Sequence, residues 1–284
     1  MAEVARTVPQ RRLARVLRRL REDAHLTIEQ VAEKLDLSPS TVSRMETAQV
    51  GVRPNDLRPL LDIYGVEGVR RDELLQLARE RRQQAWWNRY KDQQNVTLAS
   101  LERGTSSILH YSALLVPGLL QTEAYARTIL GGIPPESSPD IERRLEFRLK
   151  RQELLSDPEA PQFSVVLDEA ILKRPIGGPA IISDQLQRLI DATSLPNITL
   201  QVLPFAAGVH AGLDGEFTIL QYRDPADPDV VYLETAAGQR YDESSDVARR
   251  YNLIFDQLQE AALKPEESVH ALTDAIRELS GGDS

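Results

Sequence analysis

The sequence predicts an all-α N-terminal domain of five helices followed by an α+β domain with a small, mostly antiparallel sheet. Three observations predict it. Apolar residues recur at helical spacing through the first ninety residues with no strand-like run among them. Runs rich in β-branched and aromatic residues begin only with "FSVVLDEA" at Phe163. Charge divides after the helical first ninety-one residues. Residues 1–91 carry 18 Lys/Arg and 13 Asp/Glu, a net of +5, whereas the rest carry 16 and 30, a net of −14.

The first helix is read over residues 11–22, where Leu13, Val16, Leu17 and Leu20 form an i, i+3, i+4, i+7 stripe opposite an arginine-rich face. In "TIEQVAEKLD", Thr27 and Gln30 form a capping-box pattern ahead of Ile28, Val31, Ala32 and Leu35. A short turn leads to Ser38, a good N-cap. Pro39 follows at the first helical position, where its missing N–H costs nothing. Val42 and Met45 point inward on this third helix. A fourth helix is read over Asn55 to Tyr64, and a charged fifth over Asp72 to about Arg89, ending in "QQAWWNRY".

In the second half, "QTEAYARTILG" reads as a helix set off by "VPG" and "GGIPP", and Ile141–Leu155 as another. "FSVVLDEA" is a strand and "AIISDQLQRLIDATS" a helix. "ITLQVLPF", "GEFTILQY" and "DVVYLET" are three further strands. Helices over Ser244–Leu263 and Pro265–Leu279 close the chain ahead of a short tail, "SGGDS". The domain division read from this is 8–84, 85–265, and 266–284 as a last helix and tail.

Composition excludes several classes. An apolar fraction of 41% supports a packed core. No apolar run approaches the ~20 residues of a membrane span, and the charged N-terminus lacks the apolar stretch of a secretory signal. The absence of cysteine removes disulfides, thiolate metal sites and cysteine nucleophiles. A cytoplasmic protein fits best.

Two helices joined by a tight turn, the second short and polar on one face, form a helix-turn-helix pattern. In a major groove, Ser and Thr hydroxyls donate or accept, and arginine grips guanine O6 and N7 with two hydrogen bonds. Thr27, Gln30, Ser38, Ser40, Thr41, Ser43 and Arg44 are the candidate DNA-binding residues. Arg11, Arg12, Arg15, Arg18 and Arg19 suit either phosphate contacts or a solvated face. The run "LRRLREDAHLTIEQVAEKLDLSPSTVSRMETAQ" resembles the repressor-like, XRE-type helix-turn-helix family. The resemblance implies that Arg21 and Glu46 form a partly buried pair linking the first helix to the recognition helix, and that Ser40, Thr41 and Arg44 touch DNA. Where that family often has Gly in an E-x-G pattern, this chain has "ETAQVG".

From "AWWNRY" to about residue 265 the chain resembles a second family, the Scr1-like, antitoxin-like (DUF5753) regulators of actinobacteria. The resemblance rests on "LERGTSSILHYSALLVPGLLQTEAYAR", "VVLDEAILKRPIGGP" and "NITLQVLPFAAGVHAGLDGEFTILQY", with "WWNRY", "RLKRQELL", "QLQRLI" and "VVYLET". It implies a small, DUF397-like partner protein. Trp86, Trp87, Leu119, Leu120 and His210 are the candidate partner-binding residues. Trp86 and Trp87 suit domain packing equally, and Leu119 and Leu120 suit a core. The loop "FAAGVHAGLDG" suits either a tight hairpin or a binding site.

Enzymatic signals are weak. Asp168 and Glu169 are adjacent, so in a strand they face opposite ways. His25, His110, His210 and His270 lack metal-ligand spacing. "GGPA" lacks the Lys-Ser/Thr of a phosphate loop, and no nucleophile-elbow pattern occurs. His210 near Asp214 is the single pair that invites a test. The expectation is therefore a non-enzymatic transcriptional regulator with no catalytic residue, metal or cofactor. It binds an operator as a homodimer and is controlled by a small partner protein. A one-component sensor of a small molecule is the alternative, and a hydrolase the alternative from another class.

Overall fold

In a computed structural model of the chain, the described residues are 8–83, 90, 95–132, 141–223, 227–235 and 237–281. The chain divides into two compact units, Met1–Arg103 and Gly104–Ser284.

In the first unit α1 (Val8–Asp23), α2 (Ile28–Lys34), α3 (Pro39–Glu46), α4 (Pro54–Ile63) and α5 (Gly68–Gln83) follow the expected order. They enclose one core around Leu17, Val31, Val42, Leu57 and Leu61, each essentially without solvent contact. A sixth helix, α6 (Val96–Glu102), also belongs to this unit and was not anticipated. Its residues 96 and 98–102 are all buried, so "VTLASLE" has no polar face from which a helical period could be read.

Helix ends in this unit share one device. Leu26 N donates to Arg21 O, Leu37 N to Ala32 O, and Val66 N to Leu61 O, each closing a helix behind a left-handed residue. Gly65 is the ordinary choice at φ +67°, but His25 and Asp36 take φ +55° and +54°. Ala48 does the same after α3 at φ +56°, where the E-x-G pattern would place glycine. The exit from α3 is therefore left-handed despite the absent glycine.

The second unit holds a six-stranded sheet in the order β3-β2-β1-β4-β5-β6. Its strands are β1 (Ser107–Ser112), β2 (Gln162–Asp168), β3 (Ile198–Leu203), β4 (Phe217–Gln221), β5 (Val230–Thr235) and β6 (Gly238–Asp242). The helices are α7 (Glu123–Gly132), α8 (Ile141–Gln152), α9 (Ala170–Lys173), α10 (Pro179–Ala192), α11 (Ser245–Ala261) and α12 (Pro265–Gly281).

The sheet is mixed, which corrects the expectation of a mostly antiparallel one. β1, β2 and β3 run parallel, joined through helices as parallel strands must be. β4, β5 and β6 pair antiparallel onto the free edge of β1. "FAAGVHAGLDG" is accordingly no hairpin. It carries the chain from the end of β3, across β2 and β1, to the start of β4.

β1 and β6 were not anticipated, for opposite reasons. β1 lies between β2 and β4 with both edges paired, yet "SILHYS" mixes serines and a histidine into the sheet. It accommodates them by hydrogen bonds: His110 Nδ1 with Thr218 Oγ1 at 2.7 Å, and Ser112 Oγ to Leu115 O at 2.6 Å. β6, "GQRYD", is a polar edge strand with no apolar alternation.

Asp36 closes α2 at the turn of the helix-turn-helix, where a β-branched side chain is strained at positive φ. Asp36→Val is expected to lower the stability of the first unit by about 1–2 kcal/mol, while Asp36→Gly keeps it near the parent. Denaturant melts followed by circular dichroism check both.

Candidate functional site

α3 is short and begins under two restraints. Ser38 Oγ accepts from Thr41 N at 3.3 Å, and Pro39 occupies the first turn. α2 carries a complete capping box: Thr27 Oγ1 accepts from Gln30 N at 3.2 Å, and Gln30 Oε1 accepts from Thr27 N at 2.9 Å. Both helix starts are therefore fixed, with Thr27, Gln30 and Ser38 exposed.

Val42, Met45 and Glu46 are buried. Ser40 and Arg44 are exposed, and Thr41 and Ser43 are partly covered. The exposed stripe thus runs through Ser40, Arg44 and Thr47, with Ser43 beside it and Thr41 on its flank. Thr47 was missed because it caps the helix rather than lying inside it, but one further turn along the stripe reaches it. Its hydroxyl donates to Ser43 O at 2.8 Å. Arg44 Nε donates to Ser40 O at 3.2 Å, which lays the guanidinium along its own helix. Ser38 Oγ lies 3.0 Å from Ser40 Oγ and 2.8 Å from Thr41 Oγ1, so three hydroxyls cluster at the entrance to the stripe.

Arg21 and Glu46 hold this surface in place. Arg21 Nε donates to Glu46 Oε1 at 2.8 Å and Nη2 to Glu46 Oε2 at 3.0 Å, while Nη1 donates to Leu26 O at 2.8 Å. The two side chains are 12% and 5% exposed. The bond to Glu46 raises the Arg21 pKa further above its ordinary value, against the opposing effect of burial. Arg18 instead pairs with Glu22 on the surface at 2.9 Å, and Arg19 is exposed. The side chains of Arg11 and Arg12 lie outside the described residues.

Of the residues considered for partner binding, Trp86 and Trp87 lie outside the described residues. Leu119 and Leu120 are buried, and a buried side chain offers no surface to a partner. His210 sits in the β3–β4 loop, with Asp168 Oδ2 4.0 Å from its Nε2. The structure thus sets Asp168 beside it, at the end of β2, rather than the Asp214 singled out from the sequence. Asp168 and Glu169 both accept backbone hydrogen bonds, from Ala170 N at 2.8 Å and Phe205 N at 2.9 Å. Among the described residues, no group of three or more His, Asp or Glu side chains is placed to hold a metal ion.

The β3–β4 loop is pinned from beneath and apolar on top. Gly212 packs on the Tyr111 ring so closely that a Cβ there would come within 2.5 Å of it. Ala207 joins the core below, and the His210 ring meets Tyr111 edge-on at 6.1 Å. Burial, with Asp168 and Glu216 nearby, pushes the Tyr111 hydroxyl up to about 12. Above this anchor Phe205, Val209 and Leu213 stay exposed, Val209 at 92%. Leu114, at the same end of the sheet, is exposed as well.

A short recognition helix carrying a hydroxyl-and-guanidinium stripe, on a helical unit of this order, defines a helix-turn-helix DNA-binding domain. Residues 12–74 match a family model described as a helix-turn-helix domain, which supports a DNA-binding regulator. Residues 96–274 match the model described as Domain of unknown function (DUF5753). That match spans more than half of the chain, and the protein belongs to this family. Neither the curated proteins nor the solved structures hold a match to it. No helix among the described residues is long and apolar enough to cross a membrane.

Arg21→Ala leaves the Glu46 carboxylate buried without its partner, at a cost of about 3–5 kcal/mol to the first unit. A thermal melt should show that unit unfolding well before the second. A curve identical to the parent's would mean that the pair contributes nothing.

Proposed function

We propose that the chain is a sequence-specific transcriptional regulator, acting in the cytoplasm as a homodimer, whose second unit receives a small partner protein. The observation that carries the DNA reading is the α3 stripe. Ser40, Arg44 and Thr47 are presented outward, on a helix whose other face is locked into the core. One short helix reads few base pairs, so a pair of front units on a pseudo-palindrome supplies the specificity a single one lacks. The net positive charge of residues 1–91 favours approach to phosphates.

The partner reading rests on the β3–β4 loop. Apolar side chains held in solvent by a loop that is itself rigidly anchored are what an interface supplies and a monomer avoids. His210 stands under that surface. It supports the loop through Asp168 and Tyr111, and contact with the partner falls to Phe205, Val209 and Leu213. In an antitoxin-like arrangement, the partner's apolar face is covered by this loop. No catalytic role is assigned to any residue.

Fluorescence anisotropy with fragments of the chain's own promoter region tests the DNA reading. Arg44→Ala should weaken binding by about 1–3 kcal/mol and relax base preference at one position. Parent protein with no salt-sensitive affinity for any such fragment would end the proposal. The partner reading predicts that a small protein co-purifies with the parent chain, and that Val209→Asp with Leu213→Asp abolishes this while leaving DNA affinity unchanged. Retention of that protein by the double variant would exclude the loop.

A further inference from the structure

The β3–β4 loop does not stand alone at its end of the sheet. β1, β2 and β3 finish side by side, with Ser112 opposite Leu167 and Asp168 opposite Leu203. β4 starts beside them, Phe217 opposite Tyr111. The segments after β1 and after β3 therefore leave from one edge. The first carries the exposed Leu114, the second the exposed Phe205, Val209 and Leu213. Leu114 is anchored too. Ser112 Oγ donates to Leu115 O at 2.6 Å, Val116 N donates to the Tyr125 hydroxyl at 3.3 Å, and Gln121 Nε2 donates to Val116 O at 2.7 Å. Glu216 ties the two segments together. Its carboxylate accepts from Ala113 N, and its Oε2 lies 3.3 Å from Ser112 Oγ. A leucine held in solvent by buried polar bonds extends the apolar surface beyond one loop.

The charge along this edge has one sign. Asp168 ends β2, Glu169 follows it, and Asp214 and Glu216 lead into β4. Among the described residues, none of the four forms an ion pair with a lysine or arginine. Lys173, which responds to Glu169, is paired with Glu278 at 2.7 Å. His210 accepts from Gly212 N through Nδ1 at 3.2 Å, as a neutral imidazole does. Burial pushes the Glu216 carboxyl up from its ordinary value, and Glu234 adds to this against the Ser112 and Ala113 hydrogen bonds. Such an edge is unsuited to three occupants. Nucleic acid and anionic membrane surfaces bring more negative charge to it. A second copy docked about a two-fold axis sets the same carboxylates against themselves.

We propose that Leu114 joins Phe205, Val209 and Leu213 in one docking surface, and that the partner segment seated there is cationic, its apolar side chains set among lysines or arginines that meet Glu169 and Asp214. The inference rests on the partner reading and adds to it the chemistry of the partner.

The probe is the small protein that co-purifies with the full chain, identified by mass spectrometry, produced alone and labelled for fluorescence anisotropy. Its affinity for the parent should fall steeply as sodium chloride rises. Glu169→Gln with Asp214→Asn keeps the hydrogen-bond acceptors, and should weaken binding about ten-fold and flatten the salt dependence. Leu114→Asp should weaken it at least as much, and Leu114→Ser replaces that variant if its thermal melt departs from the parent's. Glu159→Gln with Asp191→Asn removes two exposed charges ahead of β2 and β3, at the opposite edge of the sheet, and should bind as the parent does. If no small protein co-purifies at low salt, the partner reading fails and this inference with it. If one does, the inference alone is overturned when the Glu169/Asp214 variant or the Leu114 variant binds as the parent does, or when the Glu159/Asp191 variant weakens binding equally. A change in the parent's oligomeric state on Leu114→Asp, read by size-exclusion chromatography, would assign the surface to a second copy and overturn it as well.

Discussion

The front unit turns on a single forked contact. Arg21 is the point where α1, the α1–α2 connection and α3 meet, because its three donating nitrogens reach Glu46 twice and Leu26 O once. Without it, α3 is an eight-residue helix with a modest apolar face, far below the length at which a helix persists in water. Val42 and Met45 attach α3 to the core. The bidentate pair adds an angular restraint to that packing, since both carboxylate oxygens must face the guanidinium plane. The orientation of Ser40, Arg44 and Thr47 toward solvent is thus a consequence of an interaction on the far side of the helix.

Much of this front unit is legible from the residues. Capping chemistry is local, so Thr27, Gln30, Ser38 and Pro39 announce the helix starts. Helical periodicity is strong in α1 and α2 because one face of each is wet. Helix ends are harder to read. His25, Asp36 and Ala48 adopt the conformation that glycine would advertise, so three of the four helix endings carry no glycine signal. α6 escapes for a related reason: with nearly every side chain buried it has no polar face to contrast with an apolar one.

The second unit shows where sequence reading stops. β2, β3, β4 and β5 are plain in the chain because each is a run of β-branched or aromatic residues. Their pairing is not, because parallel and antiparallel partners both bury such runs. The decisive fact is which side of β1 receives β4, and that is set by how the loop from β3 crosses the sheet. Gly212 against Tyr111 is part of that crossing. Nothing in "AGLDG" distinguishes a glycine needed for close approach from one needed for a tight turn. The row of His110, Thr218, Tyr232 and Tyr241 is equally invisible, because four residues far apart in the chain become neighbours only once the register is fixed.

The rigidity of the front unit constrains how any regulator of this build could work. Coupling between sites in one protein ordinarily amounts to about 1–3 kcal/mol. Disrupting α3 would mean breaking a buried ion pair, at about 3–5 kcal/mol, and withdrawing Val42 and Met45 from the core besides. An effector at the second unit therefore lacks the leverage to unmake the recognition surface, and a signal sent that way would be mostly spent before DNA affinity changed. Altering the spacing or availability of two intact front units asks far less. It needs only that the effector favour one arrangement of the dimer over another. On the proposed reading, control is therefore exerted on the placement of a fixed recognition helix, and a partner on the β3–β4 loop must act by preferring one placement.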